Sequence, residues 1–290
     1  MNEIKSLRAI LAYRRDRAII KPFNNNPQAL APEEFGLAFP DQLTQYALTR
    51  FEYVHDNTLN PTQNIWDGLR WKTYMDINMP LRDKVNTSRY TFNYGADARY
   101  YFPIYRNFIW AGRAAFDLSW GNEKMIYYLG GVDGWFNPKF NNANTPDPDQ
   151  SYAFQTLAVN MRGFHQNVAN GNNALVLNSE LRLPVFSTLF NKPINNAFLR
   201  NFQLTQFIDL GAAWNGKYDK IQRPTVVYSE PGNPVSVRER AGGIGPLAGG
   251  YGFGARSTLL GHFVKFDAAW QMNGIFRGKP VLYISLGLDF

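Results

Sequence analysis

The 290-residue chain contains no cysteine. This absence excludes disulfide frameworks, thiolate zinc sites, cysteine-bound iron–sulfur clusters and cysteine nucleophiles. The sequence also lacks a run of about 18 consecutive apolar residues, the length that a transmembrane helix needs. The formal net charge is only +7, and no nucleic-acid-binding motif accompanies it. We therefore expect no nucleic-acid partner.

Motifs that would carry catalysis are absent from the sequence as well. The three histidines, His55, His165 and His262, lie far apart, and none has the spacing of a metal-ligand pair. The glycine-rich stretch 241–256 does not match a phosphate-binding loop, and no serine lies in a GxSxG motif. We expect neither enzymatic activity nor a metal or cofactor.

Aromatic residues, by contrast, make up 16% of the chain, and they lie in segments that alternate in polarity. From Tyr90 to Phe102 every second residue is aromatic or alanine, and nearly all residues between them are polar, charged or glycine. Such a period of two predicts β-strands. The predicted strands lie near residues 44–56, 65–79, 88–103, 107–121, 124–130, 152–161, 173–186, 202–215, 248–260, 262–273 and 280–290. The fifth and sixth of these could instead belong to a long loop.

The lengths of the strands and of their connections indicate the fold class. Several strands exceed the ~5–6 residues that are usual in soluble sheets and match the ~9–11 residues that cross a bilayer obliquely. Tight turns at 103–107 and 261 contrast with long polar connections at 131–151 and 216–247. Short turns on one rim and long loops on the other are typical of outer-membrane barrels.

The sequence therefore predicts an all-β protein, an antiparallel transmembrane β-barrel over residues 41–290. Residues 1–40 form an N-terminal segment of uncertain structure, with a basic, strand-compatible start followed by a loop or linker. A soluble β-sandwich or propeller is the alternative, because one buried face per sheet produces the same alternation.

Four motifs follow one another between residues 128 and 256. They are Tyr128–Gly131 with the later tip Met161–Phe164, then Asn178–Pro184, Phe207–Trp214 and Gly250–Arg256. In this order, and with a C-terminal Phe290, they resemble the C-terminal barrel of the BamA/TamA-type outer-membrane assembly superfamily, the bacterial surface antigen family. The resemblance covers residues 90–290 by motif and 44–90 by alternation only.

The resemblance implies that residues 132–164 form an inserted loop that folds into the barrel. Its tip would be Arg162, Gly163 and Phe164, and alternation places Glu180 and Asp209 toward the lumen on neighbouring strands. A guanidinium can bind two carboxylates in a forked geometry. We call these five residues the loop latch and expect it to be structural, not catalytic. The alternative is a solvated loop tip above carboxylates that line a wet lumen.

The terminal strand also resembles that of the family. It would carry the signal by which outer-membrane proteins reach the assembly machinery, and in the family it pairs with the first strand to close the barrel. The simpler interpretation is a last strand that faces lipid. The alternating residues are Leu282, Ile284, Leu286, Leu288 and Phe290.

The resemblance implies an integral protein of the Gram-negative outer membrane that acts in protein insertion or translocation. Its partners would be outer-membrane lipid, lipopolysaccharide, unfolded outer-membrane proteins and accessory lipoproteins. The family barrel has sixteen strands, whereas ten or eleven are visible here, without a signal peptide or periplasmic repeats. We therefore expect the C-terminal part of a longer protein, or a reduced barrel. A passive channel, or a membrane anchor for an N-terminal periplasmic or enzymatic domain, is the alternative.

Overall fold

The computed structural model describes residues 4–18, 42–62, 65–83, 89–157, 160–229 and 235–287. Its strands are β1 (Ile4–Ala18), β2 (Gln42–Asp56), β3 (Leu59–Thr62), β4 (Ile65–Asp83), β5 (Thr91–Tyr105), β6 (Phe108–Gly121), β7 (Lys124–Leu129), β8 (Tyr152–Leu157), β9 (Ala169–Gly171), β10 (Asn173–Pro184), β11 (Gln203–Trp214), β12 (Thr225–Ser229), β13 (Ser236–Arg240), β14 (Gly243–Ile244), β15 (Leu247–Leu259), β16 (His262–Gln271) and β17 (Val281–Leu286). The helical elements are α1 (Val185–Leu189), α2 (Ala197–Arg200) and a 3₁₀ turn (Tyr218–Lys220). None of the helices in these ranges is long and apolar enough to span a membrane.

The main sheet has twelve strands, of which the short strands β3 and β14 pair only with β4 and β15 and the other ten follow one another across the sheet. Their order is β1-β2-β4-β5-β6-β10-β11-β15-β16-β17, and every neighbouring pair is antiparallel. The prediction of an all-β, antiparallel fold is confirmed. β1 lies within residues 1–40, which the sequence left uncertain, and it pairs with β2 along its whole length. This part of the N-terminal segment therefore belongs to the sheet.

The two doubtful strands of the sequence analysis lie outside the main sheet. β7 pairs in parallel with β8 and antiparallel with β9 in a small sheet of its own. They belong to the long connection between β6 and β10, which was the alternative interpretation. A second long connection, between β11 and β15, contains the hairpin β12–β13, where the sequence indicated only a polar loop.

The two faces of the main sheet are inverted relative to those of a soluble protein. One face, here called the polar face, buries charged and amide side chains, among them Asn178, Glu180, Arg182, Asp209 and Asp267. The opposite apolar face exposes large hydrophobic side chains at the alternate positions, among them Leu204, Ile208, Phe253, Phe266 and Ile284. A soluble sandwich does the reverse. Polar residues inside and apolar residues outside are the pattern of a membrane barrel.

Candidate functional site

The tip of the loop between β8 and β9 lies against the polar face of the main sheet. Met161, Arg162, Gly163 and Phe164 are all buried, and only 4% of Arg162 is exposed. Met161 and Phe164 pack in a hydrophobic cluster with residues of β7 and β10, such as Leu129. This apolar packing fixes the tip and brings the charged group between them to the sheet.

Arg162 forms a three-point contact with Asp209 of β11. Its Nε donates to Oδ2 at 2.7 Å and its Nη2 donates to Oδ1 at 2.9 Å, which is the forked geometry of an arginine–carboxylate pair. The backbone N–H of Arg162 also donates to Oδ2 at 2.9 Å. Asn178 of β10 donates to Oδ1 at 2.9 Å and to the carbonyl of Asn160 at 2.7 Å. Asp209 is therefore bound from the loop and from the neighbouring strand.

The same guanidinium reaches Glu180 of β10. Nη1 of Arg162 donates to Oε1 of Glu180 in a short ion pair. The Cζ atom of Arg162 lies 3.6 Å from the centroid of the Phe207 ring, which is itself buried. A cation above an aromatic ring is stabilised further once water is excluded. Arg162 is thus held by two carboxylates and one aromatic ring at a site closed to solvent.

Glu180 connects the loop latch to a wider network on the polar face. Arg182 donates to Oε2 of Glu180 at 2.9 Å, and Arg256 of β15 donates to Oε1 at 3.3 Å. Arg256 also pairs with Asp267 of β16 at 2.7 Å. The three arginines Arg162, Arg182 and Arg256 face the three carboxylates Glu180, Asp209 and Asp267, so their formal charges cancel. This balance allows so many ions to be buried together.

Two glycines make room for the tip. Gly163 has a φ of +97°, in the left-handed region that other residues rarely adopt, and a Cβ there would lie 2.9 Å from the carbonyl oxygen of Trp270. Gly250 of β15 lies beneath the tip, where a Cβ would overlap the carbonyl oxygen of Arg162. The backbone of the loop therefore lies directly against the backbone of the sheet.

Tyr283 ties the tip to the terminal strand. Its hydroxyl accepts a hydrogen bond from the N–H of Gly163 at 3.0 Å and donates to the carbonyl of Phe164 at 2.7 Å. Tyr283 was not among the site residues predicted from the sequence. The available signal was its odd position in β17, which places it on the polar face opposite Leu282 and Ile284. Its contact with a loop 119 residues earlier in the chain cannot be inferred from alternation.

The fold of this chain, but not its sequence, matches a known protein. No family model matches the sequence, and no curated protein matches it. The structure of BamA from Haemophilus ducreyi lacking POTRA domains 1–3 superposes with a TM-score of 0.54 at 13% sequence identity. The match covers 97% of this chain and 50% of that one. This chain has the fold of a BamA barrel.

The BamA-type fold agrees with the resemblance that the motifs indicated. The chain spans about half the length of the BamA structure that it matches. Nine of the eleven strands expected from the sequence lie in the main sheet, and β1 is the tenth strand of its consecutive order. Within the described ranges no pairing joins β1 to β17, the two strands at the ends of the sheet.

The structure brings one of the two predicted groups of residues together. The loop latch residues Arg162, Gly163, Phe164, Glu180 and Asp209 meet on the polar face, as described above. The terminal-strand residues lie on the opposite face, where about half of each side chain is exposed: Leu282, Ile284 and Leu286. Leu288 and Phe290 lie outside the described residues.

The chemistry of the site is that of a closed set of ion pairs. The guanidinium of Arg162 and the carboxylates of Glu180 and Asp209 bind one another, and all three side chains are buried. Among the residues that the structure describes, no group of three or more His, Asp and Glu side chains is placed to hold a metal ion. The arrangement fixes a loop on a sheet.

Proposed function

We propose that this chain is an integral β-barrel of the bacterial outer membrane that acts in the insertion or translocation of other proteins there. The observation that carries the proposal is the buried Arg162 between Glu180 and Asp209, at the tip of a loop lying on the polar face of a BamA-type fold. This combination of fold and loop contact is the one that the motif resemblance implied.

The inverted faces of the sheet support a membrane location. A row of half-exposed leucine, isoleucine and phenylalanine side chains would be costly in water and is favourable against lipid hydrocarbon. The charged residues are buried on the other face, where they are paired with one another. Lipid and lipopolysaccharide of the outer membrane are accordingly the first partners that we propose.

The loop latch favours an assembly role over the passive-channel alternative. A loop packed into the polar face occupies space through which a solute would diffuse, and Arg162 holds it there by two carboxylates. Removing one partner of such a buried ion pair leaves an uncompensated charge, which lowers the stability of the fold by about 3–5 kcal/mol. We propose that the loop keeps the interior of the barrel ordered. Unfolded outer-membrane proteins would then be inserted or translocated at the sheet, together with accessory lipoproteins. No cofactor enters this mechanism.

The test is an assembly assay with the 290-residue chain reconstituted in vesicles of outer-membrane lipids. A urea-unfolded outer-membrane β-barrel is added, and its folding is followed by heat-modifiable gel mobility against empty vesicles. The proposal predicts faster folding with the wild-type chain and a smaller acceleration with Arg162→Ala. Vesicles that conduct ions but fold the added barrel no faster than empty ones would favour the passive channel. A chain that neither conducts ions nor speeds the folding of the added barrel would favour the alternative of a membrane anchor.

A further inference from the structure

The connection between β10 and β11 lies on the rim of the main sheet that carries the tight turns. Arg182, near the end of β10, pairs with Ile109, near the start of β6. Gln203, at the start of β11, pairs with Arg256, near the end of β15. Residues 185–202 therefore lie between the turn that precedes β6 and the turn that follows β15, and both of these turns are short.

Side chains from both neighbouring strand ends hold this connection in place. Nη1 of Arg106, in the turn before β6, donates to the carbonyl of Thr188 at 2.9 Å and to Oδ1 of Asn191 at 3.0 Å. On the other side, the hydroxyl of Ser257 in β15 donates to the carbonyl of Phe198 at 2.6 Å. The short helices α1 and α2 are thus each tied to the end of a neighbouring strand.

A row of four phenylalanine rings packs across the connection. In order along the row they are Phe190, Phe186, Phe202 and Phe198, with neighbouring ring centroids 5.8–6.3 Å apart. Phe202 precedes Gln203, which is buried on the polar face, so alternation places Phe202 on the apolar face with Leu204. The row therefore continues the apolar face of the sheet past the ends of its strands.

The connection combines exposed apolar side chains with positive charge. Four exposed apolar residues form what we call the rim patch: Leu189, Phe190, Phe198 and Leu199. Lys192 and Arg200 are also exposed, and residues 185–202 contain no Asp or Glu. Large apolar side chains grouped at a surface indicate an interaction site, and the positive charge around them favours an anionic partner.

We infer that the rim patch binds the phospholipid leaflet on this side of the barrel. Its leucine and phenylalanine side chains lie at the boundary between headgroups and acyl chains, and Lys192 and Arg200 bind the phosphates of anionic phospholipid. In outer-membrane barrels the short turns are on the periplasmic side, so the leaflet concerned is the periplasmic one. The inference rests on the membrane location in the proposed function and not on the assembly role.

Two features favour a lipid surface over a protein partner. The row of rings is continuous with the apolar face, so a bilayer in contact with Leu204 lies next to Phe202 and the rim patch. Lys192 and Arg200 lie beyond the ends of β10 and β11, at the level where the headgroups of that bilayer begin. A single partner, the lipid leaflet, therefore satisfies both the apolar and the charged side chains.

The first test measures the depth of the rim patch in a bilayer by fluorescence quenching. The chain has no cysteine, so one introduced cysteine carries one NBD fluorophore. Leu189→Cys and Tyr218→Cys are compared in vesicles whose phosphatidylcholine carries a nitroxide near the headgroup end of an acyl chain. Tyr218 is the matched control, because it is 82% exposed in the connection that follows β11 on the opposite rim. We expect the nitroxide to quench the Leu189 label roughly threefold more strongly than the Tyr218 label.

A third label, at Ile208→Cys on the apolar face of β11, separates failure of this inference from failure of the proposed membrane location. If the Ile208 label is quenched and the Leu189 label is quenched as little as the Tyr218 label, the barrel lies in the bilayer and the rim patch lies in water. That result overturns the inference and points to a soluble protein as the partner. If none of the three labels is quenched, the proposed membrane location is wrong and the inference fails with it.

The second test determines whether the surface selects anionic lipid. The nitroxide is carried by phosphatidylglycerol in one set of vesicles and by phosphatidylcholine in the other, at the same overall lipid composition. We expect labelled phosphatidylglycerol to quench the Leu189 label about two- to fivefold more strongly than labelled phosphatidylcholine. Lys192→Gln combined with Arg200→Gln should abolish this difference, and high salt should reduce it.

The control for the charge change is Arg277→Gln combined with Lys279→Gln, which removes two exposed positive charges from the connection between β16 and β17 on the opposite rim. This control should leave the preference for phosphatidylglycerol unchanged. Equal quenching by the two lipids in the wild-type chain would overturn the inference. A preference that survives the loss of Lys192 and Arg200, or that both double variants lose equally, would overturn it as well.

Discussion

At the scale of the residue, the loop latch depends on one guanidinium that binds two carboxylates. Asp209 receives three hydrogen bonds from Arg162, whereas Glu180 keeps Arg182 and Arg256 if Arg162 is lost. The penalty of removing Arg162 therefore falls mainly on Asp209.

We expect Arg162→Ala to lower the free energy of unfolding by about 3–5 kcal/mol, because it leaves a buried carboxylate without its cation. Arg162→Lys keeps the positive charge but cannot form the two parallel hydrogen bonds to Asp209. Its effect on the free energy of unfolding should therefore be smaller, at about 1–3 kcal/mol. Urea titration of the protein refolded in micelles, followed by tryptophan fluorescence, measures both. A value for Arg162→Ala within about 0.5 kcal/mol of wild type would contradict the account.

At the scale of the element, the loop and the terminal strand are coupled through Tyr283. We expect Tyr283→Phe to leave the N–H of Gly163 and the carbonyl of Phe164 without their partner, at a cost of about 1–3 kcal/mol for each buried group that stays unpaired. Limited proteolysis of the folded protein should then cut the loop between residues 136 and 160 faster than in wild type. Equal cutting rates would mean that the hydroxyl does not hold the loop.

Alternation made most of the elements predictable from the sequence. Strands such as β10 and β11 place charged residues on one face and leucine or isoleucine on the other, so a period of two identifies them. β1 was less clear, because Arg14, Arg15 and Arg17 interrupt the pattern near its end. Alternation predicted β7 and β8 only as doubtful strands, and β9 has three residues, which is too short to show a period.

The candidate site was predictable only in part. Alternation placed Glu180 and Asp209 on one face, and the motif resemblance suggested Arg162 as their partner. The arginines Arg182 and Arg256 were visible in the same motifs, but nothing in the spacing indicated that they share Glu180. Long-range contacts of this kind depend on the register of neighbouring strands, which a single sequence does not specify.

At the scale of the whole molecule, the inverted faces make a membrane test possible. Ile208 lies in the middle of β11 on the apolar face, with 40% of its side chain exposed. In a soluble protein, exchanging such a residue for arginine is close to neutral, whereas on the lipid face of a barrel it costs about 2–4 kcal/mol near the bilayer midplane.

We therefore expect Ile208→Arg to reduce the stability of the protein in lipid vesicles by about that amount. The control is Tyr218→Arg in the connection after β11, where the side chain is 82% exposed and a charge should have little effect. Folding into vesicles across a urea series measures both variants. If Ile208→Arg were as stable as the control, the apolar face would not be in contact with lipid.

The most direct test of the central claim, that Arg162 holds an inward-folded loop on the polar face, is a charge exchange followed by heat-modifiable gel mobility. Arg162→Glu brings three carboxylates together and should abolish the compact, fast-migrating form. Adding Asp209→Arg restores an opposite pair at the same place and should recover much of that form. Wild-type mobility of Arg162→Glu alone would contradict the account, because the loop would then be an ordinary surface loop.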